Sequence, residues 1–278
     1  ISTKGEMIDI IGHGFGGKPN GNITGIVGGK PCRHTEWVSS KLIHCYAPHG
    51  AGKNVSVSVY LGNGAVTKSE NLIDYKHPVI HSIEPNHGPG SGNTGIVRIV
   101  ASDLGDLLGN ENVTMTVNSG VAKLKKFNRT VTIGGKSCKI VKVTASSISC
   151  KVPKGVGYDL PVIVSVEGEA SQPSKIAMYS YDGPSVLNVV PSVVPAAGGK
   201  RITVIGTSFG ENTESSSMEV IVGGRVCKNV TWVNDTSISC ISPPGLGKSR
   251  PVVVVVKGQP SRDYLGFSYA RPSVVSVT

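Results

Sequence analysis

Aromatic residues are scarce in this chain: Phe, Trp and Tyr make up 5% of 278 residues. Without aromatics interleaved among basic residues, a surface that stacks on nucleic-acid bases is not expected, although 28 Lys and Arg against 18 Asp and Glu leave a net charge of +10. The basic residues are scattered, so the charge is read as a solvated surface. Long apolar runs are missing too. The longest is Val252 to Val256, far short of the ~18 residues that a spanning helix needs, so a membrane would be reached only through another part of a longer protein. No stretch of ten or more residues carries a helical period. The chain opens Ile1-Ser2-Thr3-Lys4, without an initiator Met or signal peptide, and reads as a processed fragment.

Catalytic signatures are equally absent. No Gly-x-Ser-x-Gly elbow occurs and no carboxylate pair recurs at matched places, so neither an enzyme nor a cofactor is expected. The glycine-rich stretch "GHGFGG" (12–17) invites a phosphate-binding reading. Such a cradle needs a helix behind it, whereas Lys18-Pro19-Asn20-Gly21-Asn22 is turn chemistry.

What the chain does have is turns and strands. Its 36 glycines and 17 prolines punctuate alternating or Val/Ile-rich runs such as Val55 to Val59 and Val162 to Val166, which makes the fold class all-β. Three segments align: "VGGKPCRHTEWVSSKLIHCYAP" (27–48), "IGGKSCKIVKVTASSISCKVP" (133–153) and "VGGRVCKNVTWVNDTSISCISPP" (222–244). Each is followed by a β-rich run, a glycine turn and a closing tyrosine: Tyr75, Tyr181 and Tyr269. Two markers keep the same phase. Pro78, Pro184 and Pro272 lie 106 and 88 residues apart, and Cys32, Cys138 and Cys227 lie 106 and 89 apart. The chain is therefore read as a tandem array: repeat 1 over 1–77 with its opening strand truncated, repeat 2 over 78–183, repeat 3 over 184–271, and the start of a further repeat at 272–278. "GHGFGG" aligns with "GTSFG" (206–210) and "ASDLG" (101–105), so it is expected to be a structural turn.

With the opening proline, the "GxxFG" turn, the "GG..C" strand and the "C..P" before "G.G" in view, the units resemble IPT/TIG domains. The resemblance implies immunoglobulin-like β-sandwiches of the early-set (E-set) type and covers all but a segment of repeat 2. The cysteine-paired form is most similar to the ectodomain arrays of fibrocystin-like proteins and slime-mould Tgr-type recognition proteins. It is more loosely similar to plexin and hepatocyte-growth-factor-receptor stalks.

Two cysteines per repeat at matched places point to bridges Cys32–Cys45, Cys138–Cys150 and Cys227–Cys240, each closing a short loop. The chain-entropy account gives about 3 kcal/mol apiece. Zinc is the rival, but no CxxC spacing occurs and no metal is expected. Paired cysteines place the chain outside the cytosol, on the extracellular side of the plasma membrane or secreted. Asn-x-Ser/Thr sequons stand at Asn22, Asn54, Asn112, Asn128, Asn229 and Asn234. Asn22 and Asn128 each lie six residues before the Gly-Gly pair, so they share one structural position, expected to face outward and to carry N-linked glycans. All seven histidines precede residue 90 and no matching set recurs in repeats 2 and 3, which reads as surface rather than a metal or pH-sensing set.

Repeat 2 alone departs in length, with about 17 extra residues around 104–128. An insertion on a rigid scaffold is where binding tends to lie. Leu107, Leu108 and Phe127 are the candidate apolar anchors, with Lys123, Lys125 and Lys126 as the basic rim. A longer hairpin that merely shields an edge strand is the alternative. The function expected is a segment of the ectodomain of a cell-surface glycoprotein mediating adhesion or cell–cell recognition, with a protein partner that is another surface protein or itself. A structural stalk or extracellular filament component without its own ligand site is the other reading.

Overall fold

The Gly-Gly pair of each repeat closes a two-residue hairpin, and only glycine suits it. In the computed structural model, Gly28 and Gly29, Gly134 and Gly135, and Gly223 and Gly224 all have positive φ, between 55° and 81°. That is the type I′ turn, whose twist matches that of the flanking strands. The turn returns the chain in register: Cys32, Cys138 and Cys227 donate their backbone N–H to Gly25, Val131 and Val220. The first cysteine of each repeat is thereby fixed by the turn that precedes it. The structure describes residues 1–17, 23–62, 66–90, 95–105, 114–117, 120–123, 127–211, 217–271 and 273. These residues form strands and turns, with no α-helix among them. The class is all-β, as the alternating runs imply.

The chain divides into two compact units. The first comprises Ile1–Glu84, Arg98–Cys150 and Val162–Ala177. Within it, repeat 1 has a sheet of Met7–Ile11, Leu42–Tyr46 and His34–Ser39, and another of Lys30–Pro31, Thr24–Val27, Val55–Tyr60 and Val66–Ile73. Alternation buries Ile43 and Cys45 from the one and Val27, Val57 and Val59 from the other. Phe15, only 6% exposed, packs against Ile43 and Val59. The "GHGFGG" turn thus delivers an apolar side chain to the core and is no anion cradle. The same unit holds the antiparallel pairings of Val79–Glu84 with residues 98–102 and of Arg129–Ile133 with residues 162–166. Within the extra segment, Thr114–Val117 pairs with Gly120–Lys123 as a separate hairpin.

The second unit comprises Pro85–Val97, Lys151–Pro161 and Met178–Thr278. Repeat 3 supplies a sheet of Ser185–Val190, Arg201–Thr207, Ser237–Ile241 and Lys228–Asn234. Its partner sheet is built on Arg250–Val256, flanked by Met218–Val222 and Tyr264–Tyr269. Val252, Val254 and Val256 are fully buried while Val253 and Val255 are half-buried, the period-two signature of a strand with one face on a core. Phe209 and Phe267, both 0% exposed, are the largest fully buried side chains of that core.

Two of the three expected bridges are bonded here: Cys32–Cys45 and Cys138–Cys150. The third requires a correction. Cys227 and Cys240 are free thiols, both buried. They contact one another, and the hydrogen bond that the Cys240 thiol makes to Cys227, then burial, pushes that thiol far up from its usual range.

Candidate functional site

A tyrosine closes each repeat, and it shapes the loops that matter most. The hydroxyls of Tyr75, Tyr181 and Tyr269 donate to the backbone oxygens of Pro48, Pro153 and Pro243, each at 2.9 Å. Burial pushes the Tyr75 hydroxyl up to about 12, so it remains a donor. Each ring lies so close to Gly50, Gly155 or Gly245 that a Cβ there would collide with it. The three loops that follow are homologous: Gly50-Ala51-Gly52, Gly155-Val156-Gly157 and Gly245-Leu246-Gly247.

In the first unit, the loop of repeat 1 faces the foot of repeat 2's extra segment. A cleft of about 200 Å3 is lined there by Lys30, Gly50, Ala51, Tyr75, Phe127 and Glu167. Lys30 Nζ sits 4.8 Å from the centre of the Phe127 ring, and the Arg129 guanidinium 5.5 Å from it. Lys53 pairs with Glu169 at 2.8 Å, and that hydrogen bond raises the Lys53 pKa. Asp103 Oδ1 accepts three bonds, from Thr3 N at 3.0 Å, Ser2 Oγ at 3.1 Å and Thr3 Oγ1 at 3.2 Å. This joint is largely polar.

In the second unit, the equivalent loop uses different chemistry. Val156, 4% exposed, is part of the core cluster of repeat 3. The Gln259 side chain accepts from Gly157 N at 3.2 Å and donates to Tyr181 O at 3.1 Å. An apolar plug and one amide hold this joint. Replacing Val156 with Ala should therefore destabilise repeat 3, although the residue belongs to the repeat before it. The expected loss is about 1–3 kcal/mol. Chemical denaturation followed at Trp232 reads it, and an unchanged midpoint for that probe would contradict the contact.

The expected binding face is only partly visible. Leu107, Leu108, Lys125 and Lys126 lie outside the described residues, as do the sequons Asn22 and Asn112. Lys123 ends the inserted hairpin strand Gly120–Lys123. Phe127 needs correction as an anchor for a partner, since at 9% exposure it is already covered from within the chain by Lys30. Beside it is an open groove of about 560 Å3, lined by Phe127, Asn128, Arg129 and the strand residues Ile140, Val141, Lys142 and Val143. Val141 is 51% exposed, on a strand at the rim of its sheet. Residue-type counting overlooked this groove; the exposed valine on a short alternating strand was the available signal.

The described sequons, Asn54, Asn128, Asn229 and Asn234, are all exposed. Both tryptophans, by contrast, pack on cores. Trp232 donates its indole N–H to Gly210 O at 3.1 Å, while the buried Nε1 of Trp37 has no hydrogen-bond partner among the described residues. Among those residues no His, Cys, Asp and Glu side chains group in threes around a metal position. His44 instead lies near Asp9 at 3.5 Å and Glu36 at 3.8 Å. No helix among the described residues is long and apolar enough to cross a membrane.

Tandem β-sandwiches, mostly antiparallel and each with one tyrosine bonded to a proline carbonyl, define an immunoglobulin-like array. The IPT/TIG domain family matches residues 1–76, 78–181 and 184–269, so the chain belongs to that family. Over 205 residues it is 31% identical to Plexin-2 of Caenorhabditis elegans, covering 72% of this chain and 10% of that one. To human Fibrocystin-L it is 24% identical over 241 residues, covering 86% and 5%. Among solved structures it is similar to the plexin A4 extracellular region, domains 1 to 8. That likeness has 16% identity and a TM-score of 0.31, covering 97% of this chain and 32% of the other. The chain thus spans a tenth or less of these two curated relatives' length.

Proposed function

We propose that this chain is a segment of the ectodomain of a cell-surface glycoprotein, outside the cell, that mediates adhesion or recognition by binding another protein. The groove over Ile140–Val143 carries the reading. It sits beside the one segment by which a repeat departs from the shared pattern, and it sets exposed Val141 beside the cationic Lys142 and Arg129. An apolar centre with a basic rim fits a protein partner with an acidic surface. Leu107, Leu108 and the lysines of the extra segment are part of the same proposal, as candidate contacts of that partner. The family relationship supports the reading, since plexins and fibrocystin-L share the domain. Surface complementarity, rather than chemistry on a substrate, is the mechanism proposed.

The test is bead aggregation with the secreted protein. Val141→Asp with Lys142→Glu should abolish it while melting stays unchanged. Leu107→Ala with Leu108→Ala should weaken association by at least about 1 kcal/mol. Unaltered aggregation in both variants would favour the stalk. One observation supports that second reading: Leu246, 68% exposed, occupies the loop position at which Val156 plugs into the following repeat.

A further inference from the structure

Repeat 3 differs from its siblings at one hairpin tip. Asn234 stands there where repeats 1 and 2 have Ser39 and Thr144, and Thr236 completes a sequon that the other two lack. Thr236 donates to Asn234 Oδ1 from both its backbone N and its Oγ1, each at 2.9 Å. Both bonds fall on the oxygen, so the amide nitrogen Nδ2, which would carry a sugar, is left outside them. Two residues earlier on the same strand is Trp232, its indole held by Gly210 O.

Asn234 and Trp232 line one cleft of about 370 Å3 within the second unit. Its other walls are Gly210, Glu211 and Asp235 from repeat 3 and Gly90, Lys154 and Gly155 from repeat 2. Gly90 and Gly155 offer bare backbone, joined by the bond from Gly155 N to Gly90 O at 3.0 Å. The volume lies at the small end of the ~300–1,000 Å3 range of ligand pockets. An indole beside carboxylates and an ammonium suits a pyranose, which has an apolar face and a rim of hydroxyls.

We propose that the N-glycan on Asn234 occupies this cleft with its first N-acetylglucosamine and stiffens the joint between repeats 2 and 3. Attachment forms a bond from Nδ2 to the anomeric carbon of the sugar. It breaks that carbon's bond to the diphosphate of a lipid-linked oligosaccharide donor, and one amide proton leaves with the lipid diphosphate. The sugar's apolar face lies toward Trp232. Its hydroxyls and acetamide reach Asp235, Glu211 and Lys154, so that one covalently tethered ligand touches both repeats. The inference rests on the glycoprotein reading above.

The experiment uses the full chain secreted from eukaryotic cells. Glycopeptide mapping reports occupancy, and hydrogen exchange of the 152–158 peptide reports the joint. Protein trimmed enzymatically to the first N-acetylglucosamine should keep full protection of this peptide. Thr236→Ala, which removes the sequon, should speed its exchange at least about fivefold. Thr236→Ser, which restores the sequon, should restore protection, and Thr231→Ala, which removes only the Asn229 sequon, should leave exchange unchanged. Glycan on Asn234 with exchange unaltered by Thr236→Ala would overturn the inference alone, as would a bare Asn234 beside occupied sequons elsewhere. Bare sequons throughout would overturn the glycoprotein reading, and this inference with it.

Discussion

Phe209→Ala is expected to destabilise repeat 3 by about 3–5 kcal/mol, because it empties a fully buried site. The more informative result comes from its neighbour Gly206. A Cβ on Gly206 would meet both the Phe209 ring and the backbone oxygen of Ser185, on the strand paired with it. The ring can shift; the backbone oxygen is held in the sheet. Gly206→Ala should therefore cost about 1–3 kcal/mol from overpacking. Repeat 2 shows the natural alternative, since Ala101 and Leu104 stand where repeat 3 has Gly206 and Phe209. Both are buried, so a smaller plug accompanies the added methyl. In a double-mutant cycle, Phe209→Leu should relieve part of the Gly206→Ala cost and leave the Ser185 share. Strict additivity in urea denaturation would show that the two residues do not share the site.

The second large effect is expected from the bridges. Replacing Cys32 and Cys45 together by Ala should destabilise repeat 1 by about 3 kcal/mol, and the pair Cys138 and Cys150 should do the same for repeat 2. The loops closed are short, with partners 13 and 12 positions apart. Since Cys45 and Cys150 are fully buried, each change also removes packing atoms, which adds to the chain-entropy share. Chemical reduction of the unaltered protein separates the two, because it breaks the bond and keeps the sulfurs. A smaller loss on reduction than on substitution is the expected order. Equal losses would mean that the sulfurs contribute nothing by packing.

Much of the architecture was legible in local chemistry. A Gly-Gly pair between apolar alternations requires a type I′ hairpin, and three such pairs in phase require three similar units. The aromatic in "GHGFGG" and "GTSFG" follows the same logic, since a tight turn at a sheet's end can only point its bulky side chain inward. These features depend on neighbours a few residues away, and their period survives in any reading of the chain. The exposure of Asn128 was legible for the same reason, through strand parity.

Tertiary structure alone decided the rest. Phe127 has the composition of a binding anchor, and nothing near it in sequence says that Lys30, almost a hundred residues earlier, covers its ring. Asp103 reads as an ordinary turn residue, yet its carboxylate holds Ser2 and Thr3. Cys227 and Cys240 match the bridged pairs in spacing, yet they stand here as buried thiols, a difference that spacing does not encode. The groove over Ile140–Val143 and the cleft around Trp232 exist only where separate strands and loops converge. The strand pattern and turn chemistry of this chain are local properties and were written in its residues. Its joints, its covered anchor and its clefts arise from contacts distant in sequence, which depend on how the folded repeats meet.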